Sequence, residues 1–482
     1  MVNQGELEVI IGLEVHIQLT KLRTKLFCGC TSNYRGKPPN TTTCEVCLAL
    51  PGTLPVLNKS AVDYAILLGL ALDSKVQGET FFFRKNYFYP DMAKNFQITQ
   101  YDKAGGVPIC VGGELLFSTK TGERKIRFSR LHLEEDPGRL SYDGSIVSSP
   151  HALVDYNRHG CTLIEAVTEP DMRSPEEARA FLKKLRSIVE HLGIADLSLD
   201  GSMRCDANIS FKGYQRVEIK NISSVKEVER ALKFEMMRQK QKIKAGGKIV
   251  METRHWDETR RVTMSLRTKE TEKDYRYFPE PDLVPLKIGK EYIEEIRDSL
   301  PELPDARRTR FVEEYGIPEY DATVIVSSKA MADFFEETCK IHHDPKNVSN
   351  WLMGDISRRL NELNVDIEET KLDANVLAGM LDLIKEGTIS GKIAKKWIKG
   401  LLNGESVTSL LKKFGSKITD EAELLPIITD VIAQHPDTVQ EVIDGDNPRT
   451  IEFLIGQVMR KTKGQADPEI TRTLMEEEIK KA

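Results

Sequence analysis

From Leu7 to Leu19 the chain alternates without a break. Leu7, Val9, Ile11, Leu13, Val15, Ile17 and Leu19 are apolar, and Gly12, Glu14, His16 and Gln18 stand between them. A period of two cannot form one face of a helix, so it demands a strand with one apolar and one polar side. The same pattern returns at Met203–Phe211, where Met203, Cys205, Ala207, Ile209 and Phe211 oppose Arg204, Asp206, Asn208 and Ser210. A turn at 212–215 containing Gly213 and a second alternating run at 216–220 complete an expected antiparallel hairpin.

Helices interrupt these strands. Ser174-Pro175-Glu176-Glu177 reads as an N-cap, a proline at the first helical position and a capping acid, and the helix should run to Gly193. Ser224 with Glu227 predicts a second helix, ending at Gly246-Gly247. Beyond about residue 290 the strand signals vanish. Amphipathic segments such as 347–363, 374–386, 392–402 and 451–461 follow, separated by Gly, Pro and Asn-Asp clusters. The expected fold class is α+β, with a β-rich antiparallel part and an all-α part broken near residue 400. A chain of 482 residues has room for about two to four domains.

The net charge of −5 rules out a molecule that is basic throughout, so any RNA contact must come from local patches. The opening residues hold no basic stretch followed by an apolar one, and no segment has the roughly 18 apolar residues of a membrane span. The expected location is therefore cytoplasmic.

In that setting eight cysteines point to reduced thiols or metal ligands. Cys28-Gly-Cys30 and Cys44-Glu-Val-Cys47 are two close pairs joined by a 13-residue loop. This spacing suits a tetrahedral, closed and hence structural Zn2+ site. Four free thiols that merely cluster are the alternative. Cys110, Cys161, Cys205 and Cys339 are scattered and expected to pack as small apolar residues.

Five other groups bear chemistry. Glu14 and His16 share one strand face and lie within reach of one cation, although on their own a solvated strand face is the commoner reason for such a pair. Glu134-Glu135-Asp136 puts three acids at a strand end, and Glu165 interrupts the apolar run 163–167. Glu14, Glu135 and Glu165 would be oxygen ligands for Mg2+, but spacing leaves their convergence open. Arg84-Lys85-Asn-Tyr87-Phe-Tyr89-Pro-Asp91 combines a phosphate-binding cation with stacking rings. The polar hairpin face, Arg204, Asp206, Asn208, Arg216, Glu218 and Lys220, is either a solvated lattice or a cleft wall. No GxxxxGK[ST] loop, GxGxxG fingerprint or GxSxG elbow occurs, and no ammonia-producing site is visible.

The runs GLEVHIQL (12–19), PGTLPVLNK (51–59), RKNYFYPD (84–91), LHLEEDPG (131–138), VTEPDMRSPEEA (167–178), GSMRCDANIS (201–210), VEIKNISS (217–224) and DYRYFPEPDLVPL (274–286) resemble the B-subunit family of the tRNA-dependent Asp/Glu amidotransferases. GQVMRKTKGQADPEI (456–470) is similar to that family's helical tail. The resemblance covers nearly the whole chain.

It implies a cradle domain at 1–292, a helical domain at 293–404 and a tRNA-gripping helical tail at 405–482. It implies a carbon–nitrogen ligase that uses ATP and Mg2+ to phosphorylate the side-chain carboxylate of misacylated Asp-tRNA(Asn) or Glu-tRNA(Gln). Ammonia released from glutamine or asparagine by the amidase, or A, subunit then displaces the phosphate, and the small C subunit straps the two together. Residue by residue, Glu14, His16, Glu135 and Glu165 correspond to the Mg2+ site and Lys85 to a lysine near phosphate or ammonia. Tyr87 and Tyr89 fall in the nucleotide-binding stretch. Glu135 and Lys85, with Arg204, Asp206 and Asn208 of the same cleft, are the implied catalytic set. Met203, Ile222 and Ser223 depart from the family's usual residues. The chain also has no room for the large inserted domain of a sister family that acts only on Glu-tRNA(Gln).

Overall fold

The computed structural model describes residues 7–481 apart from 104, 144–148, 269–271, 364, 419, 445–449 and 463. The chain divides into two compact units, Met1–Pro304 and Asp305–Ala482. The fold class is α+β.

The first unit is built on a 13-stranded sheet. Its path is formed by β1 (Val9–Gln18), β2 (Phe83–Asn86), β3 (Phe96–Thr99), β4 (Gly122–Glu135), β5 (Thr162–Thr168), β6 (Met203–Phe211), β7 (Val217–Ile222), β8 (Glu252–Asp257), β9 (Val262–Thr268) and β10 (Phe278–Pro279). Their spatial order is β9-β8-β7-β6-β1-β5-β4-β3-β2-β10. The strand of strict alternation, β1, thus lies in the middle, antiparallel to β5 on one side and β6 on the other. Its apolar residues Ile11, Leu13, Val15 and Ile17 are fully buried in one core with Phe181, Leu185 and Leu232 of the covering helices. Burying each such side chain contributes about 1.5–3 kcal/mol.

Those helices are α1 (Lys59–Ala71), α2 (Pro175–Leu192) and α3 (Val225–Lys244). Ser174 caps α2 by accepting from Glu177 N, and Gly193 ends it with φ of 70°, a left-handed conformation that costs glycine nothing. Ser224 caps α3 in the same way. The hairpin β6–β7 forms as its alternation requires, turning at Gly213 with φ of 85°. One pairing departs from the antiparallel pattern, since β7 and β8 run parallel. The physical reason is α3, which carries the chain back across the sheet, and parallel neighbours need such a crossover. Helix α4 (Lys290–Asp298) buries Ile296 in the same core.

The second unit is all helical among its described residues and holds two separate apolar clusters. One gathers residues between Phe311 and Leu410 around the buried Trp397, and the other gathers residues between Leu424 and Ile479. The segment expected as one helix over 347–363 is helical throughout but irregular. An α-helix at Pro345–Trp351 passes through a π-turn at Leu352–Ile356 into Ser357–Leu363. No helix among the described residues is long and apolar enough to cross a membrane.

Candidate functional site

The polar side of the central strands assembles the site. Register alone places His16 opposite Glu165 on β5 and Arg204 on β6, while Glu14 faces Asp206. Glu165 in turn faces His132 of β4, and Leu163 faces Glu134. Paired residues share a face, so one surface carries His132, Glu134, Glu165, His16, Glu14, Arg204, Asp206 and Asn208.

Two groups of possible ligands lie there. His16, Glu134 and Glu165 offer atoms all within 4.8 Å of one another, as do Glu14, Asp206 and Glu218. In the first, His16 Nε2 stands 3.5 Å from Glu134 Oε1 and 3.6 Å from Glu165 Oε2, while His132 Nε2 is 3.2 Å from Glu165 Oε2. Burial would discharge His16, but the hydrogen bond and charge of Glu165, helped by Glu134, hold its imidazolium up to about 9. Burial likewise opposes the charge on Glu165, yet His132 and His16 keep that carboxyl well below its usual range. The buried Nδ1 of His132 has no hydrogen-bond partner among the described residues.

In the second group, Lys220 Nζ reaches Asp206 Oδ2 at 2.7 Å and Glu218 Oε1 at 3.1 Å. Asn208 Nδ2 donates to Glu14 Oε1 at 3.0 Å. Burial, then the charge of Glu165, pushes Glu14 above the ordinary carboxylate value against the pull of Lys220. Three acids and one lysine leave a formal excess of two negative charges, which suits a divalent cation.

Lys85 comes to this side from β2. Burial opposes its charge, but the fields of Tyr277, Glu134 and Glu165 hold it firmly protonated. Its Nζ lies 5.1 Å from the ring centre of Tyr275 and 6.0 Å from that of Tyr87. Tyr87 in turn packs 5.6 Å from Tyr89, and Tyr277 stacks on Tyr101 at 4.0 Å. The 84–91 and 274–286 motifs thus form one tyrosine-walled cage around a half-buried cation, a contact that neither motif announces alone.

The structure does not bring Glu135 to His16 and Glu165. Adjacent residues of a strand point to opposite faces, so Glu134 takes the place beside His16 and Glu135 turns away. Glu135 is fully buried, ion-paired with Lys94, and accepts from Ile98 N at 3.0 Å. A cavity of about 230 Å³ opens on that side, against Cys47, Lys94 and Glu135 and away from the His16 carboxylates. His132 and Glu134 stand on the shared face, and Asp136 joins it through Gln18 and Arg204. The signal was parity: Glu134 stands two from His132, and Glu135 does not.

The four cysteines meet. Cys28, Cys30, Cys44 and Cys47 place their sulfurs within 4.8 Å of one another, and all four are free thiols. The hydrogen bond from Cys28, assisted by Lys25, draws the Cys47 thiol down to about 5, whereas burial pushes Cys30 up to about 12. Such a donor set fits a soft divalent cation, and the buried Lys25, 3.8 Å from Cys47 Sγ, offsets thiolate charge.

His159 lies behind them, fully buried, with Nε2 3.3 Å from Met92 Sδ. Burial, then Lys94 and Lys25, push its imidazole down to about 3. An unfolded chain's histidine titrates near about 6.5, so below that pH the unfolded state takes up a proton that the folded state refuses. The contribution is present above that pH and fades as pH falls toward 3. Urea melts between about pH 7 and pH 4 should show His159→Phe losing less stability than the wild type across the window. Parallel losses would contradict this assignment.

A family model described as the GatB/GatE catalytic domain matches residues 9–294, and one described as the GatB domain matches residues 333–479. The chain is 50% identical over 471 residues, 97% of its length and 98% of the relative's, to the B subunit of the aspartyl/glutamyl-tRNA(Asn/Gln) amidotransferase of Sulfurisphaera tokodaii. It is 46% identical over 500 residues to the B subunit of the Methanosarcina barkeri enzyme, and 45% over 485 residues to that of Carboxydothermus hydrogenoformans, each match covering at least 99% of both chains. With a buried carboxylate–histidine face on its central strands and these relatives along its whole length, the chain belongs to the family of aspartyl/glutamyl-tRNA(Asn/Gln) amidotransferase B subunits.

Proposed function

We propose that the chain is the component of a tRNA-dependent amidotransferase that activates and amidates a side-chain carboxylate. Aspartate on tRNA(Asn) or glutamate on tRNA(Gln) is the substrate, and the products are Asn-tRNA(Asn) and Gln-tRNA(Gln). The observation that carries this reading is the convergence of His16, Glu134 and Glu165 beside the half-buried cation Lys85.

The chemistry needs such a face. A carboxylate does not yield an amide with ammonia directly, because oxide is a poor leaving group. Transfer of phosphate from ATP makes a good one, and catalysis then consists of positioning and of spreading charge on the moving phosphoryl group. In this reading Lys85 anchors phosphate, Arg204 supplies a second fixed cation, and Tyr87 and Tyr89 flank the base or ribose. Glu134 and Glu165, with Glu14 and Asp206 beside them, would hold Mg2+, and His16 would join them by giving up its proton as the ion enters. When bound, that ion neutralises phosphate charge. No side-chain nucleophile is required. The cysteine cluster would hold a structural Zn2+ outside the chemistry. Ammonia comes from a partner amidase, the A subunit, fastened by the small C subunit.

The direct test is amidation of Asp-tRNA(Asn) and Glu-tRNA(Gln) by the reconstituted complex, with and without ATP. Product formed equally well without ATP would end this reading.

The C-terminal helices are read as the tRNA-gripping tail. Leu410 is buried in the cluster centred on Trp397, so a clean deletion starts beyond it, at residue 416. Removing 416–482 should raise KM for charged tRNA about tenfold or more, as lost phosphate contacts do, with turnover at saturation largely kept. A pure scaffold, by contrast, would lose all function together with tRNA binding.

A further inference from the structure

The loop between the two cysteine pairs does more than close around them. It is stapled to the 152–157 segment. Asn40 Nδ2 donates to Val154 O at 3.0 Å, Asn40 N donates to Asp155 Oδ1 at 2.9 Å, and Thr42 N donates to Asn157 Oδ1 at 2.7 Å. Held this way, the loop points Arg35 back at β1. Arg35 Nη2 donates to Gln18 Oε1 at 2.7 Å and to Asp200 O at 3.0 Å. Gln18 Nε2 donates to Asp136 Oδ2 at 3.0 Å, and Asp136 Oδ1 accepts from Arg204 Nη2 at 2.7 Å. Arg158 Nε stands 3.5 Å from that same oxygen. Asp136 is fully buried and Gln18 is 3% exposed, so little water competes for the chain of bonds.

The direction of this chain is set at both ends. A guanidinium can only donate, and a carboxylate can only accept. The amide of Gln18 satisfies both ends in one orientation alone. If Arg35 is removed, the Gln18 oxygen loses its charged donor and keeps only the long 3.5 Å contact from Tyr34 Oη, so the bond to Asp136 alone holds the amide in place. Arg204 is then held less firmly. It sits opposite His16 in register, in the fields of Asp136, Asp206 and Glu134, and those last two acids compete for it.

We propose that Arg35 is a positioning residue for the carboxylate face, acting through Gln18 and Asp136 to aim Arg204 at the phosphate and to keep it off the acids that should hold the cation. The proposal rests on reading Arg204 as part of the phosphoryl-transfer machinery. It gives the cysteine-bracketed loop a role in catalysis that a fold staple does not have.

The test uses the assembled amidotransferase. Arg35→Ala should lower turnover for tRNA-dependent ATP cleavage and for amidation together by about tenfold. KM for charged tRNA, metal content and melting temperature should stay as in the wild type. Arg35→Lys, which keeps a donor-only cation, should recover most of the rate. In a cycle with Arg204→Ala, the double variant should be no slower than Arg204→Ala alone, because Arg35 acts through that residue. Unchanged turnover in Arg35→Ala, while Arg204→Ala is crippled, overturns the relay and leaves the reading of the site standing. Full additivity of the two losses overturns it as well, and so does a loss that tracks falling metal content. If Arg204→Ala amidates normally, the catalytic reading of Arg204 and the relay fall together.

Discussion

Replacing Glu134 with Gln should lower ATP-dependent amidation of charged tRNA by about 10²–10³-fold, the size of loss seen when one preorganised charge-stabilising group is removed, while the protein melts no earlier than the wild type. Stability should hold because the two cations that Glu134 faces, His16 and Lys85, keep Glu165 as a second counter-charge. The neighbouring change should behave in the opposite way. Glu135 is the counter-charge of Lys94, whose side chain is only 4% exposed. Glu135→Gln leaves a buried ammonium without its partner, which costs about 3–5 kcal/mol. Thermal melts and amidation assays on the two variants separate the roles. A Glu134→Gln enzyme with normal turnover would remove the carboxylate face from the mechanism. Equal melting temperatures for both variants would remove the division between the two faces of β4.

The second large effect is expected at the cysteines. Purified protein should carry one Zn2+ per chain, bound by Cys28, Cys30, Cys44 and Cys47. Replacing Cys44 and Cys47 together with Ser, or stripping the ion with a chelator, should lower the melting temperature by about 10 °C. Part of the free energy of binding a structural ion is folding free energy, and about 1 kcal/mol moves a domain of this size by about 2–4 °C. Without the ion the low-lying thiol of Cys47 and the buried Lys25 lose the centre that organises them. The loop carrying Arg35 should loosen with it. Metal analysis on protein purified without added zinc provides the check. A preparation that lacks metal and melts unchanged after chelation would reduce the cluster to packed thiols.

Much of this was legible in the residues, and for one reason. Strand and helix periods are local, so the apolar and polar sides of Val9–Gln18 and Met203–Phe211, the caps at Ser174 and Ser224 and the change to helices after about residue 290 could all be read from neighbours alone. The cysteine cluster was legible because its ligands come in two short-range pairs. The choice between Glu134 and Glu135 was legible in principle, by counting parity from His132, but the similarity of the LHLEEDPG run pointed to the second acid.

Other features depend on register between strands far apart in the chain, which no local pattern specifies. Only the tertiary structure brings Glu165 beside His132 and His16, or Asp206 beside Glu14. Only the tertiary structure folds Tyr275 and Tyr277 over Lys85, and joins Arg35 to Arg204 through Gln18 and Asp136. The sequence by itself determined which side chains lie on the polar face of each strand, because alternation is a property of a single strand. Which of those faces meet, and hence which acids share a cation, was decided by the order and pairing of strands in the sheet, because burial of the apolar side fixes only which face of each strand is polar and leaves its partner to the tertiary fold.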